Sequence, residues 1–295
     1  MNNKLFLTLA IIAIFFGACT APKQVIHYDQ LAINSADSGN YSQAITEWNS
    51  YINQQKQNAL EIDPRAYAEL GKNYFALEQY TDAEINFDKA RDANYADAEM
   101  YVMMSKRYKM KDNLSKEITA LEYYRDHFSN DKDSSIMRNR LFETSLESEN
   151  WEQAESIWAQ MDESSKKNEK YLLIYFKMNK KLDHIEKCDD IALQLLSINN
   201  KNTEALDWMA KKYYKLAEDR YQNAMAVYNK RKTTKNYKIL LKELDQVTID
   251  FKKSLEYFEP LWDMEDGKKY AVYLANIYAR FDDKKKSQYY KKFIK

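Results

Sequence analysis

Residues 67–90 read YAELGKNYFALEQYTDAEINFDKA, and this stretch decides the fold. Its apolar and small residues recur at helical spacing: Tyr67, Leu70, Gly71 and Tyr74, then Ala83, Phe87 and Ala90. Residues three and four apart share one helix face, so the pattern predicts two short helices packed face to face. Gly71 and Ala83 are small where two antiparallel helices must approach closely, and Tyr67, Tyr74 and Phe87 fill the space on either side.

Tyr67-x2-Leu70-Gly71-x2-Tyr74 followed by Ala83-x3-Phe87-x2-Ala90 resembles the tetratricopeptide repeat (TPR). That repeat reads W-x2-L-G-x2-Y and then A-x3-F in a helix-turn-helix of about 34 residues. Only the first aromatic differs, Tyr67 in place of Trp. The resemblance implies an all-α fold, a right-handed solenoid of stacked antiparallel helical hairpins. Such units bind other molecules with their surfaces and carry no chemistry of their own.

The same unit is legible elsewhere. In residues 25–56, Gly39-Asn40-Tyr41 stands at the inter-helix turn, with Ala44 and Trp48 after it. Pro64 opens the second unit, where its missing donor costs nothing. The third, 98–130, places Tyr101, Met104, Ser105 and Tyr108 at the signature positions, then Leu121 and Tyr124. The fourth, 133–161, carries Leu141 and Phe142, the turn Glu149-Asn150-Trp151, then Ala154 and Trp158. The fifth, 165–200, is degenerate. After Thr203 apolar spacing continues through Leu206, Met209, Tyr213, Leu216, Ala224 and Val227, which predicts one helix of nearly thirty residues. A polar break at 230–234 leads to a second long helix through Leu240, Val247, Phe251 and Phe258, to be ended by Pro260 or Gly267. Residues 270–294, with Leu274-Ala275-x2-Tyr278, complete a terminal capping repeat. The expected division is therefore 26–202 as TPR-like repeats and 203–295 as an elongated helical hairpin plus cap.

The first residues concern location. Lys4 precedes an unbroken apolar run from Leu5 to Phe16, too short for a membrane span of about 20 residues and suited to a signal segment. Phe16-Gly17-Ala18-Cys19 resembles the lipobox of bacterial lipoproteins, with Phe16 where Leu is usual. The resemblance implies a signal peptide over 1–18, acylation of Cys19 and a lipidated tether over 19–25. Thr20 is not the Asp that retains such proteins at the inner membrane. The expectation is thus an outer-membrane anchor, and a short tether without an acidic run points to the periplasmic face.

Composition bounds the rest. Lys+Arg and Asp+Glu number 45 each, a net charge of +0, so no bulk field exists to attract nucleic acid. Four glycines, at 17, 39, 71 and 267, are too far apart for a P-loop, a nucleophile elbow or a dinucleotide fingerprint. His184 and Cys188 are four apart on a helix, but no second pair completes a zinc site. Cys188 lies on an apolar face with Ile185, Ile191, Ala192 and Leu195 and reads as a buried thiol. No enzyme, metal or cofactor is expected.

Ligand contacts in the TPR family come from the first helix of each repeat. Carried onto this chain, they imply a protein-binding groove through Lys72, Phe75, Lys106 and Lys109, mildly basic and suited to an extended acidic peptide. Ala68 and Val102 stand where a chaperone-tail clamp needs polar residues, so no such clamp is expected. The functional expectation is a membrane-anchored scaffold or adaptor of the cell envelope, with an envelope protein or peptide as partner. The alternatives are an accessory lipoprotein of outer-membrane protein assembly or secretion, and a glycan-binding lipoprotein.

Overall fold

One tight turn recurs inside the hairpins and sets their register. In the computed structural model, which describes residues 26–294, a residue with positive φ follows the first helix of a hairpin six times: Gly39 at 77°, Glu78, Asp112, Glu149, Asp183 and Asp282. Each time the next N–H donates back to the carbonyl five residues earlier. Asn40 reaches Ser35, Gln79 reaches Tyr74, Asn113 reaches Tyr108, Asn150 reaches Ser145, His184 reaches Asn179 and Asp283 reaches Tyr278, at 2.8–3.0 Å. This is the Schellman ending of a helix. Asn40, Asn113, Asn150 and Asp283 then cap the second helix by accepting from a backbone N–H three residues on.

The described residues form fifteen α-helices and no strand. The first compact unit, Met1–Met104, contains α1 (Tyr28–Asp37), α2 (Tyr41–Gln57), α3 (Arg65–Ala76), α4 (Tyr80–Asp92) and the start of α5 (Ala98–Met110). The second, Ser105–Lys295, holds the rest of α5, then α6 (Leu114–His127), α7 (Ser134–Glu147), α8 (Trp151–Gln160), the single turn α9 (Glu163–Lys166), α10 (Glu169–Lys181) and α11 (Ile185–Ile198). It continues with α12 (Thr203–Lys230), α13 (Thr234–Trp262), a 3-10 turn (Gly267–Tyr270), α14 (Ala271–Arg280) and α15 (Lys284–Lys291). The sequence boundary at 202/203 marks a change in helix length inside the second unit. Pro260 does not end α13: it lies in the last turn, where one missing donor forfeits a single hydrogen bond.

Aligning the hairpins on this turn shows what each places at the close-approach positions. The glycine position of the first helix holds Ala32, Gly71, Ser105, Phe142, Phe176 and Ala275, all buried. The facing alanine position holds Ala44, Ala83, Glu117, Ala154, Cys188 and Ser287, also all buried. Cys188 is thus a small filler at a helix crossing, and burial pushes its thiol pKa up. In the α10–α11 hairpin the sizes are exchanged: Phe176 takes the glycine's place, and Ala192 stands where Phe87 stands in the second hairpin. In the α7–α8 hairpin Phe142 fills the same space, and Trp158 lies 5.4 Å from it, stacked on Tyr175 at 4.0 Å.

Two expected outcomes test this register. A Cβ on Gly71 would meet the Phe87 ring at 2.4 Å and the Ala83 carbonyl oxygen at 3.2 Å. Gly71→Ala should therefore cost about 1–3 kcal/mol by overpacking, read as lost hydrogen-exchange protection in α3 and α4. Gly39 has open space around its Cβ position, so Gly39→Ala should cost only the left-handed backbone preference, about 1 kcal/mol. By the same reasoning Asp282→Gly should raise the stability of the α14–α15 hairpin, and the opposite sign in either variant refutes the turn assignment.

The core of the first unit gathers Ala32, Trp48, Ile52, Ala66 and Leu70, with Tyr67 and Tyr74 half-buried against it. In the second unit the long hairpin and the terminal one share a core of Leu206, Ala217, Val247, Phe251, Phe258, Tyr270, Leu274 and Tyr278. That core covers only the near half of α12 and α13. The terminal hairpin reaches α12 through Arg280, 3.0 Å from Glu218 and 3.9 Å from the Tyr221 ring.

Candidate functional site

The four expected groove residues fall in different surroundings. Lys72, on α3, turns its ammonium to Asp97 at 2.9 Å, Glu69 at 3.1 Å and Glu99 at 3.4 Å, with only 13% of its side chain exposed. Burial alone would lower its pKa; the Glu69 and Asp97 carboxylates outweigh that and hold it above the usual lysine value. Arg65 adds a second cation 3.7 Å from Glu69, so two cations meet three carboxylates, and the Lys72 charge is spent within the protein rather than offered as the mildly basic groove expected there. The reason is that Asp97 and Glu99, which open the next hairpin, come within ion-pair distance of α3. Phe75 is half-buried with its ring edge-on to Tyr80 at 5.2 Å. Both residues hold α3 in place.

Lys106 and Lys109 belong to the second unit and differ in kind. Both are exposed on α5 and make no ion pair among the described residues. Met110, 56% exposed, completes an i, i+3, i+4 face with them. This face offers two cations and an unbranched, polarizable thioether, a combination that accepts acidic and apolar side chains of varied shape.

The second unit also holds an ion network that the sequence did not reveal. Arg140 on α7 donates to both oxygens of Glu117 on α6, at 2.6 and 3.0 Å, and to Glu143 and Glu147 at 2.9 and 2.8 Å. Lys170 on α10 pairs with Glu143. Glu117 occupies the position that is alanine in three other hairpins and is 2% exposed. A buried carboxylate requires a partner, and Arg140 answers it with a bidentate fork.

The titratable groups of the open recess between α12 and the 3-10 turn, about 470 Å³, largely neutralise one another. Lys180 pairs with Glu204 at 3.5 Å and Lys211 with Asp207 at 2.8 Å, and Lys269 lies 5.1 Å over the Tyr270 ring. Among the described residues no group of three His, Cys, Asp or Glu could hold a metal ion. His184 faces Asn179 at 3.0 Å, and Cys188 is fully buried. No described helix is long and apolar enough to cross a membrane. Cys19 lies outside the described residues.

No family model matches the chain, and no curated protein does. Solved structures of similar fold include the C-terminal part of a TPR repeat-containing protein from Cytophaga hutchinsonii. It is 16% identical at a TM-score of 0.47, with 90% of this chain and 93% of that one covered. Another is YrrB, described as a TPR protein with an unusual peptide-binding site, 16% identical at 0.48 over 63% of this chain and 90% of that one. A tetratricopeptide repeat protein from Parabacteroides merdae is 15% identical at 0.43, over 78% and 93%. All are distant likenesses, and they carry nothing about the partner of this chain.

Proposed function

We propose that this chain of TPR-like hairpins is a non-enzymatic scaffold that binds an envelope protein or peptide, held at the outer membrane by acyl chains on Cys19 and facing the periplasm. The observation that carries the binding half is the exposed, unpaired Lys106–Lys109–Met110 face on the first helix of a hairpin. A segment with acidic and apolar residues complements it, and rim charges of this kind chiefly raise the association rate. Confinement to a membrane surface would raise the effective concentration toward other membrane components, so a modest affinity suffices. The lipobox-like Phe16-Gly17-Ala18-Cys19 supports the anchor.

Each half has its own test. Mass spectrometry of the mature N-terminus should find a doubly modified Cys19; an unmodified residue there refutes the anchor alone. Lys106→Glu with Lys109→Glu should weaken capture of the partner from cross-linked cells roughly tenfold or more, mainly through the association rate. Undiminished capture by a normally helical variant refutes the site.

A further inference from the structure

The far end of the long hairpin is one-sided in charge. Between Asp219 and Glu243 the chain contains no acidic residue, yet it carries Arg220, Lys230, Arg231, Lys232, Lys235, Lys238 and Lys242. In a chain of net charge +0 this is a local excess. Arg220 is neutralised by Glu243 at 3.2 Å and Asp250 at 3.1 Å. The other six are exposed and make no ion pair among the described residues.

Apolar side chains are interleaved with these charges. Val227 is 52% exposed, Tyr237 48%, Leu241 45% and Ile239 43%. At 100° per residue, Lys235, Lys238 and Lys242 run along one line of α13. Leu241 lies to one side of that line and Ile239 to the other, while Tyr237 sits nearer the seam with α12, its ring 5.9 Å from that of Tyr228. Ile239 also shares an open recess of about 440 Å³ with Leu216, Ala224 and Val227. The terminal hairpin reaches α12 at Tyr221 through Arg280, and α12 runs on for about 14 Å to Lys230.

A solvated hairpin end does not need exposed valine, isoleucine, leucine and tyrosine around its lysines. An anionic lipid surface satisfies both parts. Headgroup phosphates meet the lysines and Arg231, and the apolar flanks enter the boundary between headgroups and acyl chains, where tyrosine is at home. The geometry points to the end of the long hairpin, centred on residues 227–242, as a contact site for anionic phospholipid. The inference takes its setting from the membrane reading above, but it concerns a second, reversible contact distinct from Cys19.

The test is partition of the full-length protein onto phosphatidylcholine vesicles with and without phosphatidylglycerol. The apolar run at 5–16 and any acyl chain contribute to both, so the ratio isolates the hairpin end. The wild type should prefer the anionic vesicles roughly tenfold or more at low salt, and the preference should fall as salt is added. Lys230→Glu with Arg231→Glu and Lys232→Glu should abolish the preference. Val227→Ser with Ile239→Ser should reduce it while leaving helicity unchanged. A wild type without preference, or a charge-reversed variant that keeps it, overturns the proposal. Equal vesicle binding together with charge-dependent capture of a single-stranded oligonucleotide overturns it in favour of nucleic acid. Undiminished partner capture by the Lys106→Glu, Lys109→Glu variant would sink the scaffold reading and leave the vesicle ratio untouched.

Discussion

Replacing Arg140 with alanine is expected to lower the stability of the second unit by about 3–5 kcal/mol, the cost of leaving a buried charge unpaired. Glu117, 2% exposed, takes both of its side-chain hydrogen bonds from Arg140. A surface pair of the same composition would be worth at most about 1 kcal/mol, so burial decides the size of the effect. The hairpins themselves supply the compensating change. Ala44, Ala83 and Ala154 stand where Glu117 stands, so Glu117→Ala with Arg140→Met should recover most of the loss. Hydrogen exchange in α6 and α7 during urea unfolding is the right readout, because a chain of two compact units need not unfold in one step. A single variant losing under about 1 kcal/mol, or a double variant no better than it, contradicts the assignment. The network also has a pH signature through Glu143. Burial pushes its pKa up, but the ion pairs with Lys170 and Arg140 win and hold it below the ordinary 4.5. A depressed carboxylate pKa gives stability that is complete above the unfolded value and lost as pH falls through the folded one. Acid unfolding should therefore reach this region below pH 4.5, and Glu143→Gln should flatten that dependence.

Phe258→Ala should cost about 3–5 kcal/mol as well, by leaving a cavity where helices from two hairpins meet. Phe258 is 0% exposed, stacks on Tyr273 at 4.8 Å, and lies 5.6 Å from Tyr270 and 6.5 Å from Tyr214. It joins α13 to α14 and to the 3-10 turn, so its loss should loosen the terminal hairpin before it melts the rest. The expected sign is early protease cleavage between 262 and 271, with protection of α10 and α11 retained. Phe258→Leu, which keeps most of the volume, should be clearly milder. Cleavage unchanged in Phe258→Ala would mean that the Tyr278–Tyr290 stack at 5.6 Å and the Tyr278 bond to Glu259 at 2.6 Å suffice to hold that hairpin.

The hairpin fold was legible because the second repeat keeps every packing residue of its pattern except one aromatic, and because four glycines and three prolines left few alternatives to helices. The α10–α11 hairpin looked degenerate for a physical reason. Phe176 and Ala192 exchange large and small across the helix pair, which preserves volume and destroys the motif. The turn was readable at Gly39 and Glu149 and could have been found at Asp112-Asn113 and Asp282-Asp283, where a polar residue precedes a capping one; at Asp183-His184 no side-chain cap marks it. Lys72 was placed on the correct helix, but no spacing rule shows that Asp97 and Glu99 fold back to it. Glu117 was hidden for the same reason: its partner is 23 residues away. Lys106 and Lys109 came from the family resemblance rather than from the residues themselves, and the structure shows them exposed on α5.

The central claim, that a first-helix face of this protein holds a protein partner, is most directly tested by a photo-crosslinking amino acid at Met110 in living cells. The same group at Thr119, exposed on α6, serves as the comparison. One reproducible protein adduct from Met110, absent from Thr119 and lost when Lys106 and Lys109 are reversed to glutamate, is the predicted result. Adducts indistinguishable between the two positions, or none from Met110, would contradict it.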